Sequence, residues 1–245
     1  MIGIVVVSHS APLARAALDL ALEMVPEDPP HVALAAGAGE GITGTDATRV
    51  ADAISAVSGD DGVLVLMDLG SAVMSAEMAL EFIDPGCEVR LTPAPLVEGL
   101  VAVVVSAAGG ATLDEADREA RGALAAKEDQ LGVAGPEADH ESEAADAAPD
   151  VGAPAGVRLT LTNDVGLHAR PAGLVVRALK GLDVEVRIGT DAHAPVDARS
   201  LMGLMSLGAA HGDVIAVTAE GPDAARALDA IRELVENGFG EDAAE

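Results

Sequence analysis

Apolar and polar positions along the chain change rhythm twice. Ile2 to Ser8 is a nearly unbroken apolar run, the pattern of a strand buried on both faces. Pro12 to Val25 follows, with Leu13, Ala17, Leu20 and Met24 at helical spacing and Pro12 suited to a first helical turn. The alternation continues with a strand at Val32 to Ala36, a helix from Asp46 to Val57, a strand from Val63 to Met67 and a helix from about Ser71 to Phe82. A short strand near Glu88 to Leu91 and helices at Leu96 to Ala107 and Leu113 to Lys127 complete this part. Strands and helices taken in turn predict an α/β domain over residues 1–127, with a mostly parallel sheet covered by helices.

The rhythm then stops. Glu128 to Ala155 holds eight acids and no Lys or Arg, with Pro, Gly and Ala filling much of the rest, and it is expected to be a solvated linker. Beyond it, over 156–245, Val157 to Thr162 alternates as a strand. A helix from Ala169 carries Pro171, Leu174, Val175, Ala178, Leu179 and Leu182 along one side. Val184 to Ile188, the stretch APVDARS and Val214 to Ala219 read as further strands, Ser200 to Leu207 as a short helix and Asp223 to Glu236 as the last helix. This order predicts a small α+β sandwich, one sheet under one helical layer.

A total of 245 residues suits two such domains. Phe82 and Phe239 are the only aromatic residues, so the cores are built from aliphatic side chains and base stacking on nucleic acid is not expected. A formal charge of −27 repels a phosphate backbone or an anionic membrane surface. Only Lys127 and Lys180 stand beside twelve arginines, a balance that either a salty cytoplasm or GC-rich coding produces. The lone cysteine, Cys87, excludes an internal disulfide and fits a reducing compartment. Ile2 to Val7 has no basic flank of a signal peptide, and no apolar stretch reaches the roughly 18 to 20 residues of a membrane span. A cytoplasmic protein is expected, with no cofactor and no metal centre.

Two histidines stand at element junctions. His168, in NDVGLHARPAG, lies where a helix begins, and there unpaired N–H groups and the helix dipole favour an anion. Arg170 adds a guanidinium able to bind phosphate oxygens in pairs. Taken alone, His-x-Arg is more often the start of an ordinary helix than a phosphoryl site. His9 ends the first strand, where open parallel sheets place their ligands, and Asp68 ends the strand at Val63 to Met67. If the two strands are neighbours, Asp68 can accept a proton from one ring nitrogen of His9 and leave the other free to attack.

The longer strings carry a resemblance. DVGLHARPA followed by ARSLMGLMSLGAAHGDVIAVTAEG closely resembles the histidine-containing phosphocarrier proteins, HPr, of the phosphoenolpyruvate phosphotransferase system, over about Gly156 to Gly238. The resemblance implies an open-faced β-sandwich with His168 phosphorylated and Arg170 stabilising the phosphate. It also implies an apolar docking patch at Leu201, Met202 and Met205, although core packing explains at least one of these equally well. Ser200 falls where some relatives carry a regulatory phosphoserine, and here an N-cap is its expected role.

GIVVVSHS, GTDATRVADAI, MDLGSAVMSAEMALE and APLVEGLVAVVVSAAGG resemble mannose-family enzyme IIA domains. More narrowly, they resemble the phosphotransfer subunits of phosphoenolpyruvate-dependent dihydroxyacetone kinases, in which such a domain is coupled to an HPr domain. That likeness implies a second phosphohistidine at His9, a homodimer through the N-terminal domain, and delivery to ADP on the kinase's nucleotide-binding subunit. Without an enzyme I domain in these residues, the phosphoryl group is expected from a separate enzyme I or a separate HPr.

Other readings stay open. They are a soluble component of a mannose-family sugar permease, a regulator that binds partners according to its phosphorylation, and, more distantly, a hydrolase using Ser8, His9 and Asp68. The glycine-rich Gly37 to Asp46 lacks the ending of a P-loop and is read as a close-approach loop, with Thr45 capping the next helix and lining the His9 pocket. His31, His140, His193 and His211 are expected on the surface or in loops.

Overall fold

Strand β1 (Gly3–Ser8) is buried along its whole length and lies at the centre of a four-stranded parallel sheet. The structure, a computed structural model, describes residues 1–84, 86–131 and 155–241, and these fall into two compact units, Met1–Leu124 and Ala125–Glu245. In the first unit β1 pairs with β2 (Val32–Ala36) on one side and β3 (Val63–Met67) on the other, and β4 (Val89–Thr92) closes the order β2-β1-β3-β4. The two central strands, β1 and β3, are buried on both faces, as their unbroken apolar runs require.

Period-two alternation divides those runs between two helical layers. Val5, Val7, Val65 and Met67 pack with α2 (Ala47–Val57) and α3 (Gly70–Phe82), where Ala72, Ala76 and Ala79 form a seam of small side chains that lets α3 lie close. The other face is covered by α1 (Ala11–Glu23), α4 (Leu96–Ala108) and α5 (Leu113–Arg121). Helix α4 is buried nearly all round, and Gly99 within it packs so closely that a Cβ, standing 3.1 Å from the Cβ of Ala94 and 3.3 Å from Leu66, would require those neighbours to give way.

Several sequence expectations need correction in detail. The inward face of α1 is Ala14, Ala17, Leu18 and Ala21, whereas Leu13 and Leu20 are exposed. In an alanine-rich helix two apolar stripes compete, and the smaller side chains pack against the sheet. The expected single helix from Leu113 is broken at Gly122, its C-cap, and resumes as α6 (Ala125–Leu131). Thr45 does not cap α2. Asp46 does, accepting from the Thr48 N–H at 2.8 Å, while the Thr45 hydroxyl bonds the Ser75 hydroxyl at 2.7 Å. Positions 132–154, most of the expected linker, and His140 with them, lie outside the described residues.

The second unit holds an antiparallel sheet in the order β5 (Ala155–Thr160), β8 (Val214–Glu220), β6 (Glu185–Thr190), β7 (Val196–Asp197). Strand β8 alternates with Ile215, Val217 and Ala219 inward. Helices α7 (Ala169–Ala178), α8 (Leu201–Ser206) and α9 (Ala224–Glu236) supply the other side of the core through Val175, Val176, Leu204, Ile231 and Val235. This is the α+β sandwich that the pattern predicted. Ser200 caps α8, accepting from the Gly203 N–H at 2.9 Å. Leu201 is fully buried and Met202 nearly so, which makes Leu201 a core residue and leaves Met205 as the partly exposed member of the expected patch.

Candidate functional site

At the C-terminal edge of the parallel sheet the connections from β1 and β3 lead to opposite sides, and the crevice between these two strands is the topological switch point. His9 follows β1 and Asp68 follows β3, with the Asp68 N–H donating to the Val7 carbonyl at 3.2 Å. The expected pairing is formed. The His9 ring meets Asp68 Oδ1 through Nδ1 at 2.8 Å, and the His9 backbone N–H donates to Oδ2 at 2.8 Å. The Ser8 hydroxyl donates to the same Oδ2 at 2.9 Å.

Burial acts to raise the Asp68 pKa, but the bonds from the His9 N–H, the His9 ring and the Ser8 hydroxyl outweigh it and hold the carboxyl below its ordinary value. An ionised Asp68 accepts the proton of Nδ1, which leaves Nε2 as the nitrogen with a free lone pair. Nε2 lies 2.7 Å from the hydroxyl of Ser71, in the first turn of α3. The sequence analysis has Ser71 only as the start of a helix and gives it no part in the site, because a serine in a helix's first turn has several ordinary uses.

Two helix N-termini flank this imidazole: α1 begins just after it, capped by Ser10, and α3 begins at Gly70 beside Ser71. Negative charge arriving on Nε2 is stabilised by such ends. The glycine-rich loop holds the strand end from the other side, with Gly37 N–H donating to the Ser8 carbonyl at 2.9 Å and Gly44 N–H to the His9 carbonyl at 3.0 Å. Its left-handed turns at Gly37 and Gly41 allow the backbone to come this near. Between loop and helix lies a cleft of about 360 Å³ lined by His9, Ser10, Pro12, Gly41, Ile42 and Thr43. Thr43 lines it, and Thr45, expected there, does not. Ser8 is fully buried and bonded to Asp68 rather than to the ring, so it is not placed to be the nucleophile of the expected Ser8, His9 and Asp68 hydrolase.

In the second unit His168 is the N-cap of α7, with its carbonyl accepting from the Ala172 N–H at 3.0 Å and its side chain making no capping bond. The loop before it is fixed by Gly166, at φ 82, where a Cβ would come 2.2 Å from the Ala209 carbonyl oxygen. Here the ring meets a carboxylate through its other nitrogen: Nε2 lies 2.7 Å from Glu241 Oε1. That leaves Nδ1 as the nitrogen not held by the carboxylate, on the residue that caps α7. Arg170, two residues on, is exposed. Glu241 was not found from the sequence.

Among the described residues no cluster of His, Cys, Asp and Glu is placed to hold a metal ion, and no helix is long and apolar enough to cross a membrane. His31, His193 and His211 are exposed, and His211 Nδ1 lies 3.1 Å from the Asn163 carbonyl.

Comparison with known proteins matches each unit separately. Residues 3–117 match the family described as PTS system fructose IIA component, and residues 157–237 match the PTS HPr component phosphorylation site. The chain is 42% identical over 98% of its length to a protein of Pantoea ananatis named phosphoryl donor subunit DhaM of PEP-dependent dihydroxyacetone kinase, and it spans 51% of that relative. A protein of the same description from Listeria innocua is 38% identical over 43% of the chain, which spans 85% of it. The phosphocarrier protein HPr of Treponema pallidum is 40% identical over 33% of the chain, which spans 90% of it. The chain thus spans about half the length of the longer curated relatives it matches. With an enzyme IIA unit built around β1 and β3 and an HPr unit built around β8, the chain belongs to the DhaM family, the phosphoryl donor subunits of phosphoenolpyruvate-dependent dihydroxyacetone kinases.

Proposed function

We propose that this chain relays phosphoryl groups through two histidines, from enzyme I or a separate HPr to His168, from His168 to His9, and from His9 to ADP on the nucleotide-binding subunit of a dihydroxyacetone kinase. It would act in the cytoplasm as part of a phosphoenolpyruvate–glycerone phosphotransferase. The observation that carries the reading is that each ring has one nitrogen engaged by a carboxylate and stands at a helix N-terminus, His9 through the contact of its Nε2 with Ser71 and His168 as the N-cap residue of α7.

The chemistry follows from that arrangement. The lone pair of His9 Nε2 forms a bond to phosphorus while the bond to Nδ1 of His168 breaks, and the electron pair returns to the His168 ring. The proton on the far nitrogen of each ring stays where its carboxylate holds it. Charge rather than proton is exchanged, and the helix ends and Arg170 stabilise the phosphoryl oxygens in transit.

A homodimer through the N-terminal unit is part of the proposal. Met74, Met78 and Phe82 repeat at i, i+4 and i+8 on α3 and are exposed, an apolar stripe of the kind that a second copy covers. Sedimentation equilibrium should give twice the chain mass, and a monomer throughout the micromolar range would remove this part.

The relay is tested by reconstitution with labelled phosphoenolpyruvate, enzyme I, the kinase's nucleotide subunit and ADP. Label should appear on both histidines and leave as ATP. Label that stays on the chain, in the presence of an active kinase subunit, would point instead to a regulator, and label passed only to membrane permease subunits would point to sugar transport.

A further inference from the structure

We propose that Glu241 is a positioning residue for His168: it keeps the ring proton on Nε2 and thereby reserves Nδ1 for the phosphoryl group. The inference rests on the reading that His168 is phosphorylated.

The contact is built by the fold rather than made by a wandering tail. Glu241 Oε1 lies 2.7 Å from His168 Nε2, and its second oxygen accepts from Asn163 Nδ2 at 2.8 Å. Asn163 is fully buried, and the same amide group donates to the Gly166 carbonyl at 2.8 Å. A buried amide on the loop that leads into His168 therefore aims the carboxylate at that histidine. From the other side, α9 ends in a single turn, Gly238–Gly240, in which Phe239 takes a left-handed conformation at φ 55. A residue with a large side chain adopts that conformation only when its surroundings impose it. Here the ring of Phe239 is buried, and the Glu241 N–H donates to the Gly238 carbonyl at 3.0 Å. The turn is anchored on one side and the carboxylate on the other. Glu241 is also the more enclosed partner, its side chain 18% exposed against 36% for His168.

What this does to the ring is chemical. A neutral imidazole carries one proton, and whichever nitrogen bears it cannot attack. With Nε2–H donating to Glu241, the lone pair is on Nδ1 of the residue that caps α7, two positions before Arg170. When Nδ1 bonds to phosphorus the ring becomes cationic, and the carboxylate, still bonded to Nε2–H, offsets that charge. When the Nδ1–P bond breaks, its electron pair returns to Nδ1 and the leaving group is neutral imidazole with its proton unmoved.

The test uses the full chain with ¹⁵N-labelled histidine, the His168 signals assigned by their loss in His168→Gln. Glu241→Ala and Glu241→Gln are compared with the parent. In the parent the His168 nitrogen shifts should report Nε2–H as the dominant neutral tautomer, and after charging, phosphorus coupling should appear on Nδ1. Glu241→Ala should move the tautomer equilibrium by about tenfold toward Nδ1–H, the usual size of a charge-assisted hydrogen bond, and slow charging of His168 in proportion. In Glu241→Gln the carbonyl oxygen is claimed by the Asn163 Nδ2 donor, so the amide N–H faces the ring, and this variant should shift the tautomer at least as far as Glu241→Ala and charge no faster. It also serves as the control for folding, since it changes charge but not shape. Parent-like nitrogen shifts and charging rates in Glu241→Ala would overturn the inference. A parent chain with the expected tautomer that nonetheless takes no label at His168 would overturn the relay and leave the tautomer assignment standing.

Discussion

His9 and His168 each give one ring nitrogen to a carboxylate, but they use opposite nitrogens and draw on opposite kinds of architecture. Asp68 arrives at the end of a strand adjacent to the one that carries His9, inside an open parallel sheet, and is locked there by the His9 backbone, the His9 ring and Ser8. Glu241 arrives from a turn after the last helix of an antiparallel sandwich, and one buried asparagine aims it. The first arrangement follows from topology, because the switch point of such a sheet always brings two strand ends together. The second depends on details of one loop and one turn. The difference also sets accessibility: the His9 side chain is 21% exposed in its crevice and that of His168 is 36% exposed on an open helix end. In the proposed relay the open ring suits exchange with a soluble donor, and the enclosed ring suits delivery into a partner's nucleotide site.

The hardest way to break this contrast is to delete each ring. His9→Ala should still take label on His168 yet form no ATP on the kinase subunit. His168→Ala should leave His9 almost unlabelled by enzyme I alone, with label restored when a separate phosphorylated HPr is added. Full kinase turnover by the His168 variant without an added carrier would end the idea of two histidines in series.

Removing the more deeply built carboxylate comes next. Asp68→Asn should lower transfer through His9 by about 100-fold or more, because an amide can present N–H where the ring needs an acceptor and so favours the wrong tautomer. The fold should survive, which circular dichroism will show. A rate within threefold of the parent would mean that the crevice does not choose the nitrogen. Arg170→Ala should have a smaller effect, about tenfold on charging of His168, since it removes charge-assisted bonds to phosphate but no core contact. Unchanged charging kinetics would take Arg170 out of the site.

The smallest effect is on stability against acid. Asp68 has its carboxyl held below the ordinary aspartate value, so it contributes stability that is fully present above about pH 4 and is lost as the pH falls through its lowered pKa. In Asp68→Asn that contribution is absent at every pH, and the acid limb of the N-terminal unit's stability curve should be shallower than in the parent. An equally steep limb in thermal melts between pH 5 and the acid transition would place the titrating carboxylate elsewhere.

How much of this was legible in the sequence follows from the range of the forces involved. The central strands declared themselves as apolar runs, and Asp68 was visible because an acid directly after VLVLM must sit at a strand end. His168 was legible from its position before Ala169 and Pro171, a start of helix written in local residues. The inner face of α1 was misread because Leu13 and Leu20 outweigh Ala14, Leu18 and Ala21 on any hydrophobic scale, whereas close packing on a sheet prefers the smaller set. Thr45 was misread as a cap because its real partner, Ser75, lies thirty residues away. Glu241 was invisible for the same reason in stronger form. It is one acid among 41 acidic residues, 73 positions from the histidine it touches, and nothing in its neighbours marks it. Contacts made by side chains across long separations are set by the finished packing and leave no periodic trace.

The placement of the two carboxylates has a consequence for how the molecule comes into being. Ribosomes release a chain from its N-terminus, and domains fold as units while the remainder is still being made. Asp68 joins His9 once the first unit, Met1–Leu124, has emerged with α4 and α5 to cover its sheet, so the enzyme IIA crevice can be assembled before the second unit is made. Glu241 lies beyond α9, the last helix of its unit, and His168 waits for its partner until the whole sandwich has emerged. A nascent chain thus acquires its delivering ring first and its receiving ring last, and the proposed flow of phosphoryl groups runs against the order in which its stations are built.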